Sequence, residues 1–134
     1  IRKLNLPVEK VNYFFGDQQE RSRARRVLQE RGDVIVSSSL DNNLEINAPG
    51  ATKGEAILRL AGHLGLCREQ TMGFGDGEND MTMIRTAGIG VAMGNAVEAL
   101  KAEADYVTVT NDEDGVADAI EKLVLNVEME SRHN

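Results

Sequence analysis

The chain has 134 residues, 41% of them hydrophobic and 28% charged, a composition that excludes disorder and supports one ordinary domain or a small domain with part of another. Its 15 basic and 22 acidic residues leave a net charge of -7, which repels phosphate backbones and argues against nucleic acid as a partner. One cysteine, Cys67, rules out an internal disulfide framework and a multi-cysteine zinc site, and no apolar run reaches the roughly 18 residues of a membrane helix.

The charge is uneven. Residues 1–47 carry a net of +1 and residues 48–134 a net of -8, so the two parts are expected to do different work. The sequence opens on Ile1 and shows no basic, apolar leader. It reads as a piece of a longer protein, with the cytoplasm as its expected home.

Val11, Tyr13 and Phe15 alternate with Asn12 and Phe14, the period of a strand. Asp17 is a fair N-cap for a helix over 18–31, rich in Gln, Glu, Arg and Ala, and Gly32 closes it. Ala24, Val27 and Leu28 give that helix its apolar stripe; Arg21, Arg23, Arg25 and Arg26 scatter around it and read as a solvated face. Val34–Val36 form a second strand. Asp41-Asn42 is turn chemistry, and Leu44 and Ile46 alternate with Asn43, Glu45 and Asn47 in a third. Residues 1–47 are thus strand, helix, strand, strand, ending in an antiparallel hairpin.

Pro49-Gly50 marks a boundary between units. Ile57, Leu60, Ala61 and Leu64 then recur at helical spacing and predict a core-facing stripe, with Gly65 at its end. Thr71–Gly75 reads as a short strand, and a helix follows from about Glu78. Ile89–Met93 is another buried strand. Asn95 with Glu98 reads as a capping box. Asp105–Val109 is a third strand, and Asn111 or Asp112 is expected to cap a last helix with the stripe Val116, Ile120, Leu123 and Val124. The polar residues 126–134 are expected to fray. Strands alternating with helices from residue 51 onward predict a parallel sheet.

Ligands of open parallel sheets bind outside the carboxyl ends of the strands. Gly75-Asp76-Gly77-Glu78-Asn79-Asp80 lies at such an end. Asp76 points from the strand tip, and Asp80 returns to the same side through the first helical turn. Two carboxylates at one mouth suit Mg²⁺, which takes one or two carboxylates, water and phosphate oxygens. Lys53 lies just before a helix, where a cation opposes the helix dipole unless it neutralises an anion.

These residues carry a resemblance. Thr52-Lys53-Gly54, the Gly75–Asp80 run, Gly90-Val91-Ala92-Met93-Gly94-Asn95-Ala96, Ala104-Asp105-Tyr106-Val107-Thr108 and Asn111–Val116 occur in order. Together they resemble the C-terminal half of a haloacid dehalogenase-like phosphatase of the Cof subfamily, strongly over about 43–125 and loosely over the cap-like residues 9–42.

The resemblance implies an α/β fold: a partial α+β cap piece over 1–47, the C-terminal half of a Rossmann-like core over 48–125, and a polar tail over 126–134. It implies a Mg²⁺-dependent phosphomonoesterase acting on small phosphorylated metabolites such as sugar phosphates, through an aspartyl-phosphate. By motif match, Asp76 resembles the magnesium ligand, and Asp80 a second acid supporting the metal directly or through water. Lys53 resembles the catalytic, phosphate-contacting lysine and Asn79 the phosphate-side amide, while Asn95 orders its loop.

The family's Asp-x-Asp after an apolar strand is missing. Asp112-Glu113-Asp114 has the letters but sits before a C-terminal helix, and Ser37, Ser38 and Ser39 do not fill the place of the Ser/Thr phosphate motif. The chain is therefore expected to be inactive alone, with the nucleophile outside it. The strand at 71–75, left without its neighbour, predicts self-association or pairing with the missing N-terminal portion. The alternative is a catalytically inactive module with a binding or assembly role.

Overall fold

The computed structural model describes residue 8 and residues 10–125. The expected fraying of 126–134 lies outside the described residues. Strand β1 (Lys10–Phe14) leads into helix α1 (Gln18–Arg31), then β2 (Ile35–Ser37) and β3 (Asn43–Asn47). They form a three-stranded antiparallel sheet in the order β1-β3-β2, with Asn12 and Ser37 both opposite Glu45. The helix begins where expected, because the Asp17 carboxylate accepts from the Gln19 and Glu20 amides at 2.7 and 2.9 Å. Gly32 ends it in the left-handed conformation.

Period-two alternation gives this sheet two unlike faces. Val11, Tyr13, Leu44 and Ile46 point toward α1 and line, with Ala24, Val27 and Leu28, an open apolar groove of about 570 Å³. Lys10, Ser37, Glu45 and Asn47 point the other way. The turn at 38–43 is held by the fully buried Asn43, whose Oδ1 accepts from the Ser39 and Leu40 amides and from the Ser38 hydroxyl.

After the turn Ala48–Ala51 come α2 (Lys53–His63), β4 (Met72–Gly75), α3 (Met81–Thr86), β5 (Ile89–Ala92), α4 (Glu98–Lys101), β6 (Tyr106–Val107) and α5 (Gly115–Leu123). The second sheet is parallel, in the order β4-β5-β6, so β4 is one of its edges. Ile84, Ala92, Met93, Ala96 and Leu100 form its core, with Phe74, Met81 and Ala104 packed against it. No helix among the described residues is long and apolar enough to cross a membrane.

Several local expectations are corrected. Of the α2 stripe, Ala61 is buried and Ile57 half-buried, but Leu60 and Leu64 are 58% and 61% exposed. The helix packs on α3 instead through Gly54, where an added Cβ would lie 2.5 Å from the Thr82 carbonyl oxygen. So close an approach carries the contact toward the N-terminal end of α2 and leaves its C-terminal leucines uncovered. Asn95 does not cap α4. Val97 holds that position, and the Asn95 Oδ1 accepts from the Asn111 amide, so it does tie two loops together. Neither Asn111 nor Asp112 caps α5. A single 3₁₀ turn over Asn111–Glu113 intervenes, held by Glu113 folding back onto Thr110, and Asp114 enters α5 with a positive φ of 58°. The strand expected over 105–109 shortens to Tyr106–Val107. Asp105 instead accepts from the Gly90 amide through its side chain, and Thr108 donates to the Gly115 carbonyl. In the stripe of α5, Val116 and Val124 are exposed.

Candidate functional site

The site grows from the end of β4. Gly75 is the last residue of that strand, and a Cβ there would sit 2.5 Å from the Cβ of Asp80. Only a glycine lets the acidic loop fold so closely over the strand tip. A 3₁₀ turn over Glu78–Asp80 then returns the chain toward it, and α3 starts at Met81.

Asp80 is 4% exposed, and both of its oxygens are engaged. Oδ2 accepts from the Asp76 and Gly77 amides at 3.0 and 3.2 Å. Oδ1 accepts from the Lys53 ammonium, in a charge-assisted contact that fixes the lysine at the loop. Lys53 opens α2, behind the Thr52 N-cap whose hydroxyl accepts from the Glu55 amide. Its side chain stays 50% exposed, so the ammonium keeps donors free toward the cleft.

Asp76 is exposed, and its carboxylate accepts no hydrogen bond among the described residues. It can therefore take an external partner. Among the described residues no three His, Cys, Asp or Glu side chains gather as a metal cage. The donor set, a free carboxylate beside a buried one, suits a hard cation that completes its shell with water and ligand oxygens. Asn79 is half-buried, with its side chain against Gly77, and lines the cleft.

That cleft, of about 480 Å³, lies between the polar face of the antiparallel sheet and the acidic loop. Lys10, Ser37, Glu45 and Asn47, with Ile35 and Val36, form one wall; Thr52, Lys53, Glu78, Asn79 and Thr82, with Met81 and Ala99, form the other. Glu45 is nearly buried, accepting from Lys10 at 2.7 Å and from the Ser39 hydroxyl at 2.6 Å. The hydrogen bond from Lys10, the one from Ser39 and the nearby charges of Lys10 and Lys53 hold its carboxyl below the usual range.

Thus Lys53, Asp76, Asn79 and Asp80 meet at one strand tip. The sequence assigns no site role to Lys10 or Glu45, and reads Arg25 as part of a solvated face and Glu78 as one acid of the loop. Arg25 donates to Glu78 from both terminal guanidinium nitrogens, Nη1 at 3.0 Å, and burial followed by the charge of Arg21 pushes its pKa down. Arg21 donates to the Asn43 carbonyl and the Ser38 hydroxyl, so two of the four α1 arginines are anchored and not merely solvated. A separation of 53 residues leaves no sequence signal for the Arg25–Glu78 pair.

Comparison with known proteins identifies the family. The sequence matches the haloacid dehalogenase-like hydrolase family over residues 2–120. It is 40% identical over 116 residues to the 5-amino-6-(5-phospho-D-ribitylamino)uracil phosphatase YcsE of Bacillus subtilis, covering 87% of this chain and 47% of that protein. The fold matches a haloacid dehalogenase-like hydrolase from B. subtilis with a TM-score of 0.85 at 36% identity, over 92% of this chain and 45% of the other. It also matches the HAD subclass IIB sugar phosphatase BT4131 with a TM-score of 0.78 at 38% identity, over 88% and 44%. The chain spans less than half the length of each of these relatives. The chain belongs to the haloacid dehalogenase-like hydrolases.

Proposed function

We propose that this haloacid dehalogenase-like chain carries the metal and phosphate side of a Mg²⁺-dependent phosphomonoesterase that acts on small phosphorylated metabolites, with its attacking carboxylate supplied from outside the chain. One observation carries the reading: the Lys53 ammonium, half-exposed, is pinned by buried Asp80 beside the free carboxylate of Asp76. A fixed cation and a cation-binding acid at one strand tip are what a transferring phosphoryl group needs.

Each residue then has a role. Asp76 would hold Mg²⁺. When bound, that ion offsets the negative charge of the phosphoryl group. Lys53 donates to a phosphate oxygen, and Asn79 offers its amide to the same group from the cleft wall. Asp80 has both oxygens committed, so it acts on the metal side through the Asp76 and Gly77 amides and on the phosphate side through Lys53. The sheet face above the cleft receives the organic part of the substrate: Lys10, Ser37 and Asn47 offer polar contacts to the hydroxyls of a sugar phosphate, and Ile35 an apolar one. The phosphatase names of the relatives support this reading, and the free thiol of Cys67 fits a reducing, cytoplasmic setting.

The test is reconstitution. Joined to the N-terminal half of the B. subtilis phosphatase, the chain is expected to release inorganic phosphate from sugar phosphates. Chelation should abolish the activity, and Asp76→Asn should cut it by roughly a hundredfold or more. Phosphate release indifferent to chelator and to Asp76→Asn would overturn the assignment. A second reading, an inactive binding or assembly module, draws on the absence from the sequence of an Asp-x-Asp after an apolar strand. A reconstituted protein that binds phosphate but never turns over would favour it.

A further inference from the structure

We propose that Arg25 and Glu78 form a clasp that holds the antiparallel-sheet unit closed over the acidic loop, making Arg25 a positioning residue of the site. Its functional meaning rests on the reading of that loop as the metal and phosphate site; the clasp itself does not.

Among the described residues, this pair is the one side-chain hydrogen-bonded link between residues 10–47 and residues 52–125. The chain itself crosses only through Ala48–Ala51, a turn closed by the Ala51 amide donating to the Ala48 carbonyl at 3.1 Å. A turn at one side and a two-pronged ion pair at the other therefore bracket the cleft of about 480 Å³. Guanidinium and carboxylate meet fork to fork, a geometry that fixes direction as well as distance.

The position of Glu78 gives the contact its consequence. It stands between Asp76 and Asn79, in the turn whose shape sets where Asp76 and Asp80 point. Closing the sheet unit therefore does two things in one event. It steadies the loop, and it neutralises one of the loop's three carboxylates, so the field at Asp76 depends on whether the unit is closed. The side chains of Arg25 and Glu78 are 24% and 43% exposed, which leaves the pair open to screening by salt. A contact of this kind shifts an open–closed equilibrium by up to about fivefold. That biases the unit toward closure without locking it, as entry and exit of a ligand require.

The experiment uses the chain itself, the labelled protein diluted into an excess of unlabelled chain so that only distances within one copy are read even where copies associate. Spin labels are placed at Gln29→Cys and Glu98→Cys in a Cys67→Ser background, and pulsed electron resonance reads the distance between units. At low salt the wild-type pair should give one narrow distance. Arg25→Gln and Glu78→Gln should each broaden it toward longer values, the double variant should add nothing to either single one, and 1 M NaCl should reproduce the effect only in the protein with both residues. Unchanged distances in both single variants, or additive effects, would overturn the clasp. As a second readout, Arg25→Gln should move the amide resonances of Asp76, Gly77 and Asn79, although the substitution lies on the other unit, and leave those of β5 in place. Loop resonances that stay still would also overturn it. Helix α1 has no fully buried residue, so Arg25→Gln should spare the fold; if it does not, Glu78→Gln carries the test alone. Neither readout involves turnover, so loss of the phosphatase reading would show separately, as a reconstituted protein releasing no phosphate.

Discussion

Asp80 joins burial to charge, and its two oxygens do different work. Removing the side chain in Asp80→Ala orphans the Asp76 and Gly77 amides and releases Lys53, at an expected cost of about 2 kcal/mol in urea unfolding. Lys53→Ala should cost about 1 kcal/mol or less, because the lysine is half solvated and the buried carboxylate keeps both amides. Equal costs would mean that the ion pair, and not the amide cradle, holds the loop. Glu45 gives a pH prediction. Its folded pKa lies below the unfolded value, so its contribution is complete above about pH 4.3 and is lost as pH falls through the lower, folded value. Urea midpoints followed from pH 6 to pH 3 should fall more steeply for wild type than for Glu45→Gln; parallel slopes would remove Glu45 from the acid response.

At the scale of elements, the α2–α3 contact is set by the absence of a side chain. Gly54 lets the two helices meet with the Thr82 carbonyl where a methyl would otherwise stand. Gly54→Ala is expected to destabilise by about 1–3 kcal/mol, since the obstacle is backbone and cannot swing aside. The same substitution should displace Lys53, one residue earlier, from Asp80, visible as a shifted Asp80 carboxyl resonance. A neutral Gly54→Ala would mean that α2 slides along α3 at little cost. Helix α1 follows a simpler rule: Asp17 and Gly32 set its ends locally, and its sparse stripe leaves much of the apolar sheet face open.

For the whole molecule, the exposed apolar residues form a pattern. Among the described residues, Leu60 and Leu64 on α2 and Val116 and Val124 on α5 lie uncovered, and β4 is an edge with no strand on its outer side and no charged residue of its own to guard it. Such an edge invites another strand, and apolar surface of this kind finds a partner. We expect the chain to self-associate at micromolar concentration, read by sedimentation; a stable monodisperse monomer would contradict this. Purified alone, it should not hydrolyse p-nitrophenyl phosphate, since no Asp-x-Asp follows an apolar strand in the sequence. Steady turnover lost on Asp76→Asn would refute that expectation.

The sequence by itself determined what is local and periodic. The caps of α1, the antiparallel hairpin ending at Asn47, the parallel alternation after residue 51 and the crowding of Gly75–Asp80 at a strand tip all depend on neighbours within a few residues. Where several local solutions compete, tertiary contact decided. Asn95 gave up a cap to brace the Asn111 amide, the α2 stripe rotated toward the glycine that permits close approach, and the last strand yielded its ends to side-chain bonds. The roles within the acidic run were also settled by packing. Burial committed both oxygens of Asp80 to Lys53 and the backbone, while exposure left Asp76 free. The Arg25–Glu78 pair lay beyond any sequence pattern, because two charges 53 residues apart acquire meaning only when folding sets them within a hydrogen bond of each other.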